Sequence, residues 1–497
     1  MAAVAALWIA ALAAAPGAAA ATYYVAPGGS DLSDGSEASP FGTIQRAADA
    51  VNPGDIVILR DGTYVGNGET IVRLDRSGTA DQWITFRAEN EWGAVLDGQD
   101  FTTAHGVSLS DGVGYLRFEG LQVQRTLASG FAAGNETHDI YYYRNLLHDI
   151  GRICSDAMGD YVGFRDKRTS VRMVYDSNVL HTIGRLHLSP GCVPFTTHYQ
   201  NHDDGMSLHG HGIKIINNVF SDFRSGWAIQ SSGGASDWLI ANNTFAFPNP
   251  NREGQIVLWQ DNTNFTIANN IFYQPAGAAI VLAPCSNKTN VIVRNNISTA
   301  DMILDNDTGR NRCQSLQLAS NRVSTDPRMI DPERLNFRLT NGSLALDAGE
   351  ASLSPVVDHD GAPRPQGKGY DIGAFEFGDG AADTSAPLVT ISSPAAGETV
   401  SGEVNIAAAA TDDVAVLGVQ VRVNDDALGP EGAVSNYTMS WDTTKVPNGL
   451  YVLTVMARDA AGNVGTTAVT IFVHNREDAD RLRSHPIRSR TRAGDGQ

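Results

Sequence analysis

The chain is poor in positive charge. Of its 497 residues, 36 are Lys or Arg against 55 Asp or Glu, a formal net charge of -19. Nucleic-acid partners demand clustered cations to neutralise phosphates, so this balance argues against them. Long hydrophobic runs are also scarce. Residues 1–21 carry no charge and run Ala-Val-Ala-Ala-Leu-Trp-Ile-Ala-Ala-Leu into small residues around Ala18 to Ala21. This reads as a signal peptide lacking the usual basic start, and no other stretch is apolar enough to cross a bilayer. An exported chain without a membrane span is expected. Cysteine is limited to Cys154, Cys192, Cys285 and Cys313, and neither Cys-x-x-Cys nor His-Glu-x-x-His is present to suggest zinc. In an exported chain four cysteines favour disulfides. Their positions suggest Cys154 with Cys192 and Cys285 with Cys313, among three possible connectivities.

What the chain has in place of these is a repeat. Asn145, Asn178, Asn218, Asn243, Asn270, Asn296 and Asn321 follow one another at intervals of 33, 40, 25, 27, 26 and 25 residues. Several close a polar pair before a hydrophobe, as in Asn217-Asn218-Val219-Phe220 and Asn242-Asn243-Thr244-Phe245. One fixed polar residue per period of about 25 is the mark of a solenoid, and three short strands with three turns need about that length. An all-β parallel β-helix is expected, its amides bonded from coil to coil. The two long intervals place insertions on one face, where solenoids commonly bind.

Ahead of the repeat, Ile44, Ala47, Ala48 and Val51 have helical spacing, which suits a short helix covering an open solenoid end. After it, residues 379–387 are Gly, Ala, Asp and Ser-rich, hence a linker. Alternating strands from residue 388 to 475 then fit a small β-sandwich, and the Arg-rich tail 476–497 is expected to be disordered.

The opening, Tyr23-Tyr24-Val25-Ala26-Pro27-Gly28-Gly29 with Ser39-Pro40-Phe41-Gly42-Thr43-Ile44, resembles that of secreted right-handed parallel β-helix proteins of the pectate-lyase-like superfamily, in particular polysaccharide lyase families six and nine. Asn336-Phe337-Arg338-Leu339 and Asp371-Ile372-Gly373-Ala374-Phe375-Glu376 resemble the ending such proteins share. The resemblance spans residues 22–378. It implies a right-handed, single-stranded parallel β-helix and carbohydrate chemistry, while the scaffold alone leaves the reaction open. Trp441-Asp442-Thr443 and the segment 457–463 resemble bacterial immunoglobulin-like modules.

Stacking one strand per coil by its distance from the asparagine puts Val162, Phe164, Met206, Leu208, Trp227, Ile229, Ile256 and Leu258 inward, and Arg165, His209, Gln230 and Trp259 in an outward row. Asp203-Asp204-Gly205 precedes this row at the foot of one insertion. The other insertion supplies Asp160, Asp166, Lys167 and Arg168. A groove walled by loops over a flat ladder suits an acidic polysaccharide. On the lyase reading, Ca²⁺ held by Asp203, Asp204 and Asp160 and the cation Arg165 neutralise a uronate carboxylate, and His209 removes the adjacent proton. Gln230, Trp259, Lys167, Arg168 and His202 line subsites, Lys214 is a weaker candidate, and the chain acts as a monomer. Family-nine-like lyases use a lysine base and several calcium-binding aspartates, a motif not matched here residue by residue. Two alternatives stay open: hydrolysis by paired carboxylates such as Asp204 with Asp160 or Asp166, and a carbohydrate-binding surface protein without turnover. Asp-Asp-Gly taken alone is more often a turn than a site.

Overall fold

The computed structural model describes residues 20–66, 68–153, 161–185, 203–223, 226–248, 253–305, 315–378, 385–412, 416–424, 426–432, 436–459 and 463–475. Cys154, Cys192, Cys313, Asp160, His202, the tail and all but the end of the N-terminal segment lie outside them. The chain divides into two compact units, Met1–Ala382 and Asp383–Gln497. Among the described residues no helix is long and apolar enough to cross a membrane.

The first unit is a right-handed parallel β-helix made of three sheets. The long sheet has eleven strands, from Thr22–Val25 to Leu316–Ala319. The second sheet runs from Gly62–Val65 to Ile297–Ser298, and the third from Thr70–Leu74 to Asp301–Asp305, nine strands each. Each coil visits them in that order, as in Gly114–Glu119, Gln122–Gln124 and Ser129–Ala133. Like side chains therefore stack. In the long sheet the rings of Phe86, Phe118, Tyr142 and Tyr175 lie 5.8, 5.7 and 5.0 Å apart, and in the second sheet Phe220, Phe245 and Phe272 are 4.7 and 4.9 Å apart.

The asparagine ladder lies in the tight bend between the long and second sheets. From Asn178 onward each Oδ1 accepts both the backbone N–H and the Nδ2 of the asparagine one coil earlier, while Asn145 Oδ1 accepts the Leu121 N–H. Asn243 Oδ1 does so for Asn218 at 2.8 and 3.0 Å, and Asn270 Oδ1 for Asn243 at 2.9 Å each. The bend closes because the preceding residue is left-handed: Arg144, Ser177, Asn217, Asn242, Asn269, Asn295 and Ser320 all have φ between 53° and 57°. Asparagine tolerates that conformation better than most residues. In the Asn-Asn pairs the two amides divide the labour. The second enters the core, while the first turns outward and grips residues 348–373: Asn217 Nδ2 donates to Val357 O (3.0 Å), Asn242 Nδ2 to Asp371 O (3.0 Å) and Asn295 Nδ2 to Ala348 O (2.6 Å).

That C-terminal strap covers the second sheet with Phe337, Leu339, Ile372, Ala374 and Phe375 against Val219, Ala246, Ile271 and Ile297. It buries the Arg364–Glu376 ion pair (2.8 Å) and His359, whose Nδ1–H donates to Asn217 O at 2.9 Å. Burial pushes His359 down to about 4. A base held lower in the folded than in the unfolded chain binds fewer protons when folded. Its contribution is therefore complete above about pH 6.5, the unfolded value, and declines as pH falls toward 4. Across that window the wild type is expected to lose roughly 3 kcal/mol more than His359→Gln, at ~1.4 kcal/mol per pKa unit. Urea titrations of both proteins at a series of pH values check this.

The helix Ile44–Ala50 covers the open N-terminal end as its spacing predicts, with Ile44, Ala47 and Ala48 buried. Thr43 caps it by accepting the Arg46 N–H at 3.1 Å, and Asp31 in turn accepts the Gly42 and Thr43 N–H groups. The second unit packs a three-stranded sheet and a five-stranded sheet over Ile406, Val419, Val421, Trp441, Leu453, Val455 and Ile471.

Candidate active site

The third sheet carries the candidate site on its outer face. Its strands share a Gly-apolar-x pattern: Gly106-Val107-Ser108, Gly130-Phe131-Ala132, Gly163-Phe164-Arg165 and Gly205-Met206-Ser207. These glycines form a column that admits no side chain. A Cβ on Gly106 would stand 2.6 Å from Gly130 O, one on Gly130 2.8 Å from Gly163 O, and one on Gly163 2.6 Å from Gly205 O. Stacking through the column aligns the outward residues two positions on. The register runs Arg73, Ser108, Ala132, Arg165, Ser207, Gln230, Val257, Val281, Leu304.

This corrects the expected row. Arg165 and Gln230 belong to it, but Ser207 and Val257 stand where His209 and Trp259 were assigned. His209 follows the end of Met206–Leu208, and Trp259 pairs with Ala283, one outward position further along. The cause is unequal insertion length, which makes counting from the asparagine unreliable across coils. Trp227 is also misassigned: it packs outside the helix with Val257, Val281 and Ala283, and its indole N–H donates to Glu253 O at 3.0 Å. Gln230 is only 5% exposed, so it is covered rather than open to a ligand, whereas Trp259 is 42% exposed. Lys214 pairs with Val174 and Leu239 in the long sheet and therefore faces away from the groove.

Asp203 and Asp204 build a corner. Asp203 is fully buried in an ion pair with Arg185: its oxygens accept the Arg185 backbone N–H at 3.0 Å and the guanidinium at 2.7 Å. That guanidinium lies 4.5 Å from the Tyr161 ring centre. Asp204 Oδ1 accepts the Trp227 N–H at 2.9 Å. Asp203 is thus committed to Arg185, and the next outward position is Ser207 rather than a carboxylate. The described residues do not fit a Ca²⁺ site built on Asp203, and among them no cluster of three or more His, Cys, Asp or Glu is placed to hold a metal.

Asp166 serves His209. It is fully buried, its oxygens accept the His209 and Gly210 N–H groups, and Oδ1 lies 3.5 Å from His209 Nδ1. Burial raises its pKa, opposed by hydrogen bonding to His209. So enclosed, Asp166 is not placed to flank a glycosidic bond as a paired carboxylate would. Cys285 is buried and is not free.

The open groove lies toward the N-terminal end of the same face, lined by Glu69, Arg73, His105, Ser108, Arg165 and Lys167 among others. Small residues floor it, Arg73 stands at one end and Arg165 with Lys167 at the other, and Glu69 and Asp111 are its acidic members. His105 Nδ1 lies 2.7 Å from Ser129 Oγ. Burial, then the charge of Arg165, holds its pKa below the usual imidazole value, with Glu69 acting the other way. Arg73 and His105 escaped the sequence reading because their coils precede the first ladder asparagine. The Gly-apolar-x repeat would have found His105-Gly106-Val107-Ser108.

Residues 23–157 match the family model of the Pel9A-like right-handed beta helix region, and residues 387–455 that of a bacterial Ig domain. Pectate lyase L of Dickeya chrysanthemi is 26% identical over 407 residues, covering 71% of this chain and 90% of that protein. Pectate lyase PEL9 of Emericella nidulans is 34% identical over 85 residues, 17% of this chain and 20% of that one. The crystal structure of pectate lyase Pel9A covers 73% of this chain and 97% of its own at 17% identity, with a TM-score of 0.44. By sequence, then, the chain is similar to the Dickeya and Emericella pectate lyases.

Proposed function

We propose that this chain, which joins a Pel9A-like right-handed β-helix to a bacterial Ig domain, is an exported, monomeric lyase that cleaves a uronic-acid-containing polysaccharide by β-elimination. The observation that carries the reading is the gathering of cations in the groove: on a chain of net charge -19, Arg73, Arg165 and Lys167 share one outer face over a floor of Ser108 and Ala132, against two acidic lining residues, Glu69 and Asp111. Arg165, with Lys167 two residues on, neutralises the carboxylate of the bound uronate. This acidifies the adjacent C–H and stabilises the enolate-like charge that develops. His209, its Nδ1 side facing Asp166, accepts that proton. The C–O bond at the neighbouring carbon then breaks, a C=C bond forms in its place, and the leaving oxygen takes a proton from water. Trp259 offers an apolar surface to a sugar ring beyond the strip. Asp203 belongs to the fold, and no step is routed through a metal.

Incubation with pectate, alginate, glycosaminoglycans and neutral glycans, with and without chelator, tests the reading. Ultraviolet absorbance from an unsaturated uronate is expected. Reducing sugar without that absorbance would mean hydrolysis, and binding without either a surface protein. Activity lost to chelator and restored by Ca²⁺ would bring Asp204 and Asp160 back as ligands. Arg165→Ala is expected to lower kcat/KM on the polymer by roughly 10²-fold or more, the scale seen when one stabilising charge is removed. His209→Ala with full activity would remove His209 from the role of base.

A further inference from the structure

We infer that the N-terminal end of the groove, at Arg73 and His105, is a second carboxylate subsite for the same polymer chain, so that the protein reads spaced uronates rather than one. The inference rests on the reading of an acidic polysaccharide in this groove. Arg73 and Arg165 share one row and are separated by Ser108 and Ala132. Three steps at ~4.8 Å put them roughly 14 Å apart, a few sugar units. The two intervening positions of the row are the short Ser108 and Ala132, and a ligand that meets both cations at once must itself bear anions at that separation. A polyuronate running across the strands does so.

Two features hold the subsite in place. Gln45 of the capping helix brackets the backbone of Arg73, its Oε1 accepting the Arg73 N–H at 2.8 Å and its Nε2 donating to Arg73 O at 3.0 Å. His105 rests on Ser129, which is fully buried, leaving Nε2 for a ligand. In the structure Arg73 pairs with Glu69, whose side chain is 73% exposed. Such an exposed pair contributes little to stability. The fold does not need Arg73, and a substrate carboxylate can take Glu69's place without disturbing the helix.

The test is equilibrium binding of galacturonate oligomers of three and of eight units to the full chain by calorimetry, with Arg73, Arg73→Ala or Arg73→Lys each in a His209→Ala background so that no oligomer is cleaved, and with a methyl-esterified octamer as the uncharged arm. The protein that keeps Arg73 is expected to bind the octamer more tightly than the trimer by roughly tenfold or more, the value of one charge-assisted pair. In Arg73→Ala that gap closes, Arg73→Lys restores part of it, and the esterified octamer never shows it. A gap that persists in Arg73→Ala, or that the esterified octamer reproduces, overturns the subsite. The two readings fail separately. Unsaturated product with no Arg73-dependent length effect removes the subsite and keeps the lyase. An Arg73-dependent length effect with no product from any polymer removes the lyase and keeps a polyanion-binding groove.

Discussion

Replacing Arg185 with Met is expected to cost about 3–5 kcal/mol, because it leaves the Asp203 carboxylate buried without its cation. Both side chains are 0% exposed, and Arg185 meets Asp203 through its backbone N–H, Nε and guanidinium terminus. An ion this deep cannot recover water except by opening the corner. That corner also carries the Asp204–Trp227 hydrogen bond, and it leaves no room beside Gly226, where a Cβ would lie 2.3 Å from Asp203 O. Loss of the pair is therefore expected to loosen the Trp227 packing as well. Urea denaturation followed by tryptophan fluorescence measures the effect. Arg185→Met combined with Asp203→Leu removes both charges and should recover much of the loss, since a buried pair is often no better than apolar residues of similar volume. If Arg185→Met alone is neutral, Asp203 is not the committed partner described here and its availability to a metal reopens.

Asn243→Leu is expected to cost as much or more. The side chain donates to Ile215 O, Ala241 O and Asn270 Oδ1, and its own Oδ1 accepts two N–H groups from Asn218. Leucine makes none of these bonds, and the groups it strands are buried on both sides of the rung. At about 1–3 kcal/mol per unsatisfied group, a total of roughly 4 kcal/mol is a low figure. The same change at Asn321, which bonds to Asn296 and to Val293 O and is only part-buried, should cost clearly less. Thermal unfolding of the two variants measures the gradient. Equal losses would mean that the ladder works through its individual bends rather than through the stack. Because coils touch only their neighbours, a break at Asn243 is also expected to broaden the transition of the β-helix.

The ladder shows how much of the architecture can be read directly from residues. One asparagine per period announces a stacked polar group, since nothing but repetition along an axis would satisfy a buried amide so regularly. The cap helix was legible for a similar reason: Ile44, Ala47 and Ala48 must bury one stripe. The strap was not. The outward partner in each Asn-Asn pair looks like a duplicate until residues 348–373 are seen lying against it, some 50 to 140 positions away in the chain.

The candidate site divides the same way. Arg165, Lys167 and His209 could be singled out because they neighbour the insertions and carry the needed charge or proton affinity. Their alignment could not be counted from the asparagines, because the insertions fall between the ladder and the third sheet and shift each strand by a different amount. The glycine column sets the register instead, by close backbone approach.

The sequence by itself determined the class of object: a β-solenoid with its polar ladder, its covered N-terminal end, two insertions and a second β domain, all consequences of local period and composition. Tertiary structure alone decided which side chains share a face. It sent Asp203 to Arg185, Trp227 to the outside and Gln230 under cover, and it brought Arg73 and His105 onto the face of Arg165. Those outcomes depend on burial and on register between strands 23 to 42 residues apart, and the partner of an aspartate such as Asp203, 18 positions away, is not written in the residues beside it.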